Sequence, residues 1–149
     1  MDGGRFLVDT NVLLRWVHRE AAEYEIVNRS VQHLARDGWR PSYTSQILGE
    51  FWNVLTRPAN RNGYGLTPAG ANRRAADVES DLQFLPDNPA VHYVWRQLLV
   101  DHNVSGVQVH DARLVASMQV HGVPRILTFN ARDFARYPGI EAIHPSQIP

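Results

Sequence analysis

The chain has 149 residues, 44% apolar and 20% charged, with 15 basic and 15 acidic side chains and no cysteine or lysine. That length suits one domain spanning residues 1–149 that can bury a real core, and the composition is that of an ordinary soluble globular protein. Without cysteine there are no disulfides, thiolate zinc sites or cysteine nucleophiles; without lysine there is no P-loop kinase or response-regulator receiver, which need one on phosphate.

Zero net charge argues mildly against a dedicated nucleic-acid binder, although an enzyme acting on nucleic acid at a metal site needs only a local basic patch. No stretch approaches the roughly 18 apolar residues of a membrane helix. The opening Met1–Arg5 leads into an apolar run that is too short for a signal peptide and ends in Asp9. The expectation is a soluble, cytoplasmic protein with no membrane association.

In chain order, Arg5 to Val8 reads as a first strand. A helix starts near Thr10-Asn11, which supply cap chemistry, and carries Val12, Leu13, Trp16 and Val17 on one face. A second helix runs from about Ala21 to Arg36 and ends at Gly38. A short strand around Tyr43-Thr44 follows, then a helix capped by Ser45 that carries Ile47, Leu48, Phe51, Trp52 and Leu55. Arg57 to Leu66 is rich in turn residues and reads as a loop. Thr67-Pro68 opens a helix to about Leu82. After the break at Pro86 to Pro89, Val91 to His102 forms another helix, and a further one runs from His110 to Gly122. Pro124 to Phe129 and Ile140 to Ile143 read as the last two strands. Strands alternating with helices predict an α/β fold, with a mostly parallel central sheet flanked by helices on both faces.

Four acids stand at the borders of apolar segments. Asp9 closes the first strand, Glu50 lies at the edge of a wide apolar helix face, Asp111 opens a helix, and Asp133 follows the apolar run Ile126 to Phe129. Taken singly, each has an ordinary explanation: turn or cap for Asp9, surface helix residue for Glu50, helix-dipole partner for Asp111, cap for Asp133. Together they suggest an oxygen-only pocket for a hard divalent cation such as Mg²⁺ or Mn²⁺, because ligands in parallel sheets bind beyond the carboxyl ends of the strands. Carboxylates gathered there repel one another unless a cation neutralises them. The natural reaction of an all-carboxylate metal site is phosphodiester hydrolysis.

The same residues carry a resemblance. Phe6-Leu7-Val8-Asp9-Thr10-Asn11-Val12 resembles the opening motif of PIN-domain ribonucleases, especially the VapC-type toxins. Thr44-Ser45-Gln46-Ile47-Leu48-Gly49-Glu50-Phe51, His110-Asp111-Ala112 and Gly122 through Phe134 continue it, in the family's order and over nearly the whole chain. The resemblance implies a PIN-like three-layer fold, a homodimer, an RNA substrate, and an antitoxin whose tail occludes the groove. It implies Asp9, Glu50 and Asp111 as metal-holding catalytic acids. The fourth position is Asp133, with Asn130 as its helper, since some relatives have an aspartate at the place of Asn130 and others three residues on. Thr10, Asn11, Ser45 and Thr128 match the polar residues that orient ligands and water. Arg57, Arg61, Arg73 and Arg74 are expected to hold the RNA backbone.

Other readings are weaker. An aspartyl-phosphate phosphatase wants a second aspartate two residues after the first, where this chain has Asn11, and a partnering lysine. No Gly-x-Ser-x-Gly elbow or His-Glu-x-x-His pattern is present. His110 reads as a helix-start residue, and Tyr64 as a packing residue that could also stack on a base. The rival from a different class is a PIN-like domain without catalysis that binds RNA or protein.

Overall fold

The computed structural model describes residues 3–148. Two residues of the opening segment and the last residue of the chain fall outside it. The order of elements is β1 (Arg5–Val8), α1 (Thr10–Val17), α2 (Tyr24–Arg36), β2 (Arg40–Thr44), α3 (Ser45–Thr56), α4 (Pro68–Asp81), β3 (Gln83–Leu85), α5 (Pro89–Asp101), α6 (Gln108–His121), β4 (Arg125–Leu127) and β5 (Glu141–Ile143). Short 3-10 turns occupy Ala59–Arg61, Ala131–Phe134 and Pro145–Gln147. Among the described residues, no helix is long and apolar enough to cross a membrane.

The five strands form one sheet in the order β3-β2-β1-β4-β5, and every pairing is parallel. Phe6, Leu7 and Val8 of β1 are fully buried, although adjacent side chains point to opposite faces. Both faces of the central strand are therefore covered, as parallel sheets require. From β1 the chain moves outward to β2 and β3, then returns across the sheet to β4 on the other side of β1. Right-handed crossovers put the connections of these two directions on opposite faces. The reversal leaves a crevice between the carboxyl ends of β1 and β4, where ligands bind in such sheets.

Local chemistry sets the helix ends. The Thr67 hydroxyl accepts from the Gly70 N–H at 3.1 Å and the Asn88 side chain from the Val91 N–H at 3.1 Å, each with proline at the next position. Gly122 closes α6 at φ +68°, a left-handed conformation that glycine adopts without strain. On α3, Ile47, Phe51 and Leu55 recur every four residues and are all buried. Each such side chain contributes roughly 1.5–3 kcal/mol. That stripe fixes the rotation of α3, and so places Glu50, one position before Phe51, at the border of the buried face.

Several expected boundaries shift. No strand is expected between the helix ending near Leu82 and the break at Pro86, yet Gln83–Leu85 forms β3, paired with β2 through Tyr43 and Phe84. Thr44, not Ser45, caps α3 by accepting from the Ile47 N–H at 3.1 Å, because the bend after β2 comes one residue earlier. The cap of α1 is Asp9 itself, and Thr10 is its first helical residue. Helix α2 begins at Tyr24 rather than near Ala21, and α6 at Gln108 rather than His110.

Candidate functional site

Asp9 is the centre of the crevice. Its N–H donates to the Leu127 carbonyl at 3.0 Å, extending the β1–β4 ladder by one bond, and the chain then turns into α1. One carboxylate oxygen accepts from the Thr10 N–H at 2.8 Å, the other from the Thr128 hydroxyl at 2.7 Å. The residue is only 8% exposed. Burial raises its pKa most; the hydrogen bonds from Thr128 and Thr10 pull it back, and the charges of Glu50 and Asp133 raise it further.

Thr10 and Thr128 connect this carboxylate outward. The Thr10 hydroxyl donates to Glu50 at 2.8 Å, joining the start of α1 to α3. Thr128 also accepts from the Asn130 N–H at 3.0 Å, which fixes the bend after β4. The Asn11 side chain accepts from the Phe129 N–H at 3.3 Å, a second tie between α1 and that bend. Asp133 is exposed in the turn Ala131–Phe134, held by its own N–H on the Asn130 carbonyl and by the buried Phe134 beside it.

Glu50 is half-buried. Its second oxygen accepts from the Gln46 side-chain amide at 3.1 Å, and the same amide donates to the His110 carbonyl at 2.9 Å. Gln46 thus clamps α3 to the start of α6, where Asp111 follows. Asp111 is partly buried, and its pKa is pushed up to about 6, by burial first and then by Asp9, Asp133 and Glu50. All four acids therefore act on one neighbourhood, although they come from four separate segments.

The oxygen-only donor set fits a hard divalent cation, since a cation would relieve the strain that burial and mutual repulsion put on the ionised acids. Among the described residues, no three His, Asp or Glu side chains stand close enough to make a ready metal cage.

The other expected residues separate into two groups. Thr10, Asn11, Thr128 and Asn130 join the crevice. Ser45 is an exposed first residue of α3, with Thr44 doing the capping. Arg57 sits at the far end of α3, about 10 Å along the axis from Glu50, and donates to the Asn62 carbonyl at 2.9 Å. Arg61 lies in the following turn, and Arg73 and Arg74 are exposed on α4. Arg74 lines a groove with Trp16, Tyr24 and Asp77. The charges that shift Asp9 and Asp111 are acidic ones, not these arginines. Sequence reasoning overlooked Gln46, whose spacing four residues before Glu50 on one helix was the available signal.

The family model of the PIN domain matches residues 6–140. No match was found among curated proteins. Among solved structures, a chain of VapBC2 from Rickettsia felis, bound to a DNA fragment from its promoter, superposes with a TM-score of 0.70 at 12% identity, covering 94% of this chain and 98% of that one. A toxin–antitoxin complex from Klebsiella pneumoniae gives 0.60 at 18% identity, covering 94% and 97%. VapC20 of Mycobacterium tuberculosis, described as a sarcin-ricin loop cleaving toxin, gives 0.63 at 18% identity, covering 87% and 93%. At these identities the likeness is one of fold, and it agrees with the all-parallel sheet. With the family model spanning β1 to the residue before β5, the chain belongs to the PIN domain family.

Proposed function

We propose that this PIN domain is a metal-dependent endoribonuclease of the VapC type, the toxin of a toxin–antitoxin pair that inhibits translation and growth. The observation that carries the reading is the buried Asp9, with Glu50, Asp111 and Asp133 acting on the same neighbourhood, at the point where the sheet reverses its strand order. In this reading Asp9, Glu50, Asp111 and Asp133 hold one or two Mg²⁺ or Mn²⁺ ions, with the side-chain amide oxygen of Asn130 as a neutral helper. When bound, such an ion polarises a phosphoryl oxygen and makes water a better nucleophile near neutral pH.

The chain's own groups do the rest. Thr128 and the Thr10 N–H fix both oxygens of Asp9, so its carboxylate cannot rotate away. Thr10 and Gln46 fix Glu50, the group proposed to take the proton of the attacking water. Water adds to phosphorus in line, the bond to the 3′-oxygen breaks, and the products carry a 5′-phosphate and a 3′-hydroxyl. The chain is proposed to work as one PIN-like domain in the cytoplasm, as a homodimer, with a cognate antitoxin covering the crevice. The fold neighbours described as toxin–antitoxin and VapBC complexes support that partner.

Among the described residues no ready-made cage of acids stands, and this favours one other reading, a PIN domain that binds RNA or protein without cutting. Cleavage of mixed cellular RNA with and without Mg²⁺ or Mn²⁺, by wild type and Asp9→Asn, separates the two. The nuclease reading expects metal-dependent cutting, 5′-phosphate ends and at least a hundredfold loss in the variant. Folded, partner-free protein that cuts nothing with either metal refutes it.

A further inference from the structure

Arg15 lies at the mouth of the crevice, although the arginine-rich loop and α4 looked the better RNA-binding candidates in the sequence. Long helical side chains lean toward the N-terminus of their helix. Arg15 does so: its Nη1 donates to the Asn11 carbonyl at 2.9 Å, one turn back toward Asp9. The guanidinium then lies 5.1 Å from the centre of the Phe129 ring, inside the range of a cation–π contact. Phe129 is the residue after Thr128, and its N–H is held by Asn11. The cation is therefore fixed relative to the Asp9 carboxylate through two short connections, and still 36% of its side chain is exposed.

Two aromatic groups stand around it. The Tyr64 and His18 rings meet edge-on at 5.3 Å, and Tyr64 is 37% exposed. His18 is the residue that ends α1, so Tyr64 packs against the C-terminal end of the helix that carries Arg15. The His144 ring lies edge-on to Phe129 at 5.2 Å. Glu23 approaches Arg15 only at 4.0 Å, and an exposed pair of that length is weak enough to give way to a phosphate.

We infer that Arg15, backed by Phe129 and flanked by Tyr64 and His18, is a contact rim for single-stranded RNA, in which the guanidinium takes a phosphate flanking the scissile one and the Tyr64 ring takes an unstacked base. The inference rests on the ribonuclease reading. A crevice holding four acids repels a polyanion, so a cation fixed at its edge has a clear use. A planar guanidinium and an exposed ring suit phosphate and base respectively.

The test measures binding of a mixed-sequence single-stranded RNA of about 12 nucleotides, in EDTA over a range of KCl, for wild type, Arg15→Ala, Arg15→Lys and Tyr64→Ala. Steady-state cleavage of the same RNA with Mn²⁺ follows, and melting curves confirm that each variant folds. Arg15→Ala is expected to bind about tenfold more weakly and to raise KM about tenfold with kcat within about twofold. Its salt slope should be shallower by about 0.7, the share of one phosphate contact on a single strand. Arg15→Lys should keep the slope and recover part of the affinity. Tyr64→Ala should weaken binding with the slope unchanged. A folded Arg15→Ala protein that cuts with wild-type KM and the wild-type salt slope overturns the rim and leaves the ribonuclease reading standing. Wild-type protein that neither binds nor cuts RNA removes both.

Discussion

Replacing Asp111 by asparagine should stabilise the metal-free protein at neutral pH while abolishing its activity. Burial and the charges of Asp9, Asp133 and Glu50 lift the Asp111 pKa from its ordinary 3.8 to about 6. At 1.36 kcal/mol per pH unit, keeping it ionised in the folded state costs about 3 kcal/mol in full. The side chain is only partly buried, so solvent screening reduces this to about 1–2 kcal/mol. The N-terminal end of α6 favours an anion by about 0.3–1 kcal/mol, and losing that works against the variant. A net gain of about 1 kcal/mol remains, or about 2–4 °C in Tm at this chain length. Because the folded pKa lies above the unfolded one, the folded state binds more protons between pH 4 and 6, and wild-type stability falls as pH rises through that window. The gain of Asp111→Asn should therefore be absent near pH 4 and complete above pH 7. The assay is thermal melting of both proteins in EDTA from pH 4 to 8, repeated with excess Mn²⁺. Excess cation should raise the wild-type Tm and raise the variant's far less. A variant that is less stable at every pH, or that responds to Mn²⁺ like wild type, would refute the electrostatic reasoning.

Thr128→Val removes the hydroxyl that donates to Asp9 and accepts from the Asn130 N–H; melting should show a loss of about 1–3 kcal/mol. Because the Thr128 bond lowers the Asp9 pKa, the acidic limb of the cleavage pH profile should move to higher pH. Gln46→Leu keeps the bulk of the side chain but frees one oxygen of Glu50 and the His110 carbonyl; Mn²⁺ affinity measured by calorimetry should weaken about tenfold or more, as for other residues that orient metal ligands. Gln46→Glu, which places a fifth acid against Glu50, should be worse than Gln46→Leu at pH 8. Phe51→Ala, at a fully buried position on the stripe that orients α3, should cost about 3–5 kcal/mol in urea unfolding.

Much of the frame was legible because its signals are local. Phe6-Leu7-Val8 and Arg125-Ile126-Leu127 are short apolar runs ending in polar residues, and Thr67-Pro68 and Asn88-Pro89 are cap-plus-proline pairs that act where they stand. β3 was illegible for an equally physical reason. Only Leu85 of its three residues is buried, and no glycine or proline separates it from α4; pairing with β2 makes it a strand. Helix α6 is buried from Leu114 to Met118 all round, so its start could not be read from one apolar face. The four acids were visible as borders of apolar runs. The Gln46 amide was not, since the carbonyl it holds lies 64 residues away. The arginines chosen from the sequence form a cluster along the chain, whereas Arg15, the single charged residue of α1, is tied by folding to Asn11 and Phe129.

Asp9 joins fold and proposed function in one side chain. As a helix cap it needs only one oxygen, and Ser, Thr or Asn would serve there with less electrostatic cost. Instead the position carries a charge in a nearly dry crevice, with Thr128 supplied to its second oxygen and three further acids acting nearby. Capping alone does not account for that arrangement, because every added acid makes the ionised state harder to keep. A cation does account for it: the repulsion among the four acids is the attraction that would hold one there. The same arithmetic predicts that the metal-free protein is most stable under mildly acidic conditions and that divalent cations move the optimum toward neutrality. A stability maximum that stays at one pH with and without Mn²⁺ would leave the burial of Asp9 without an explanation in metal binding.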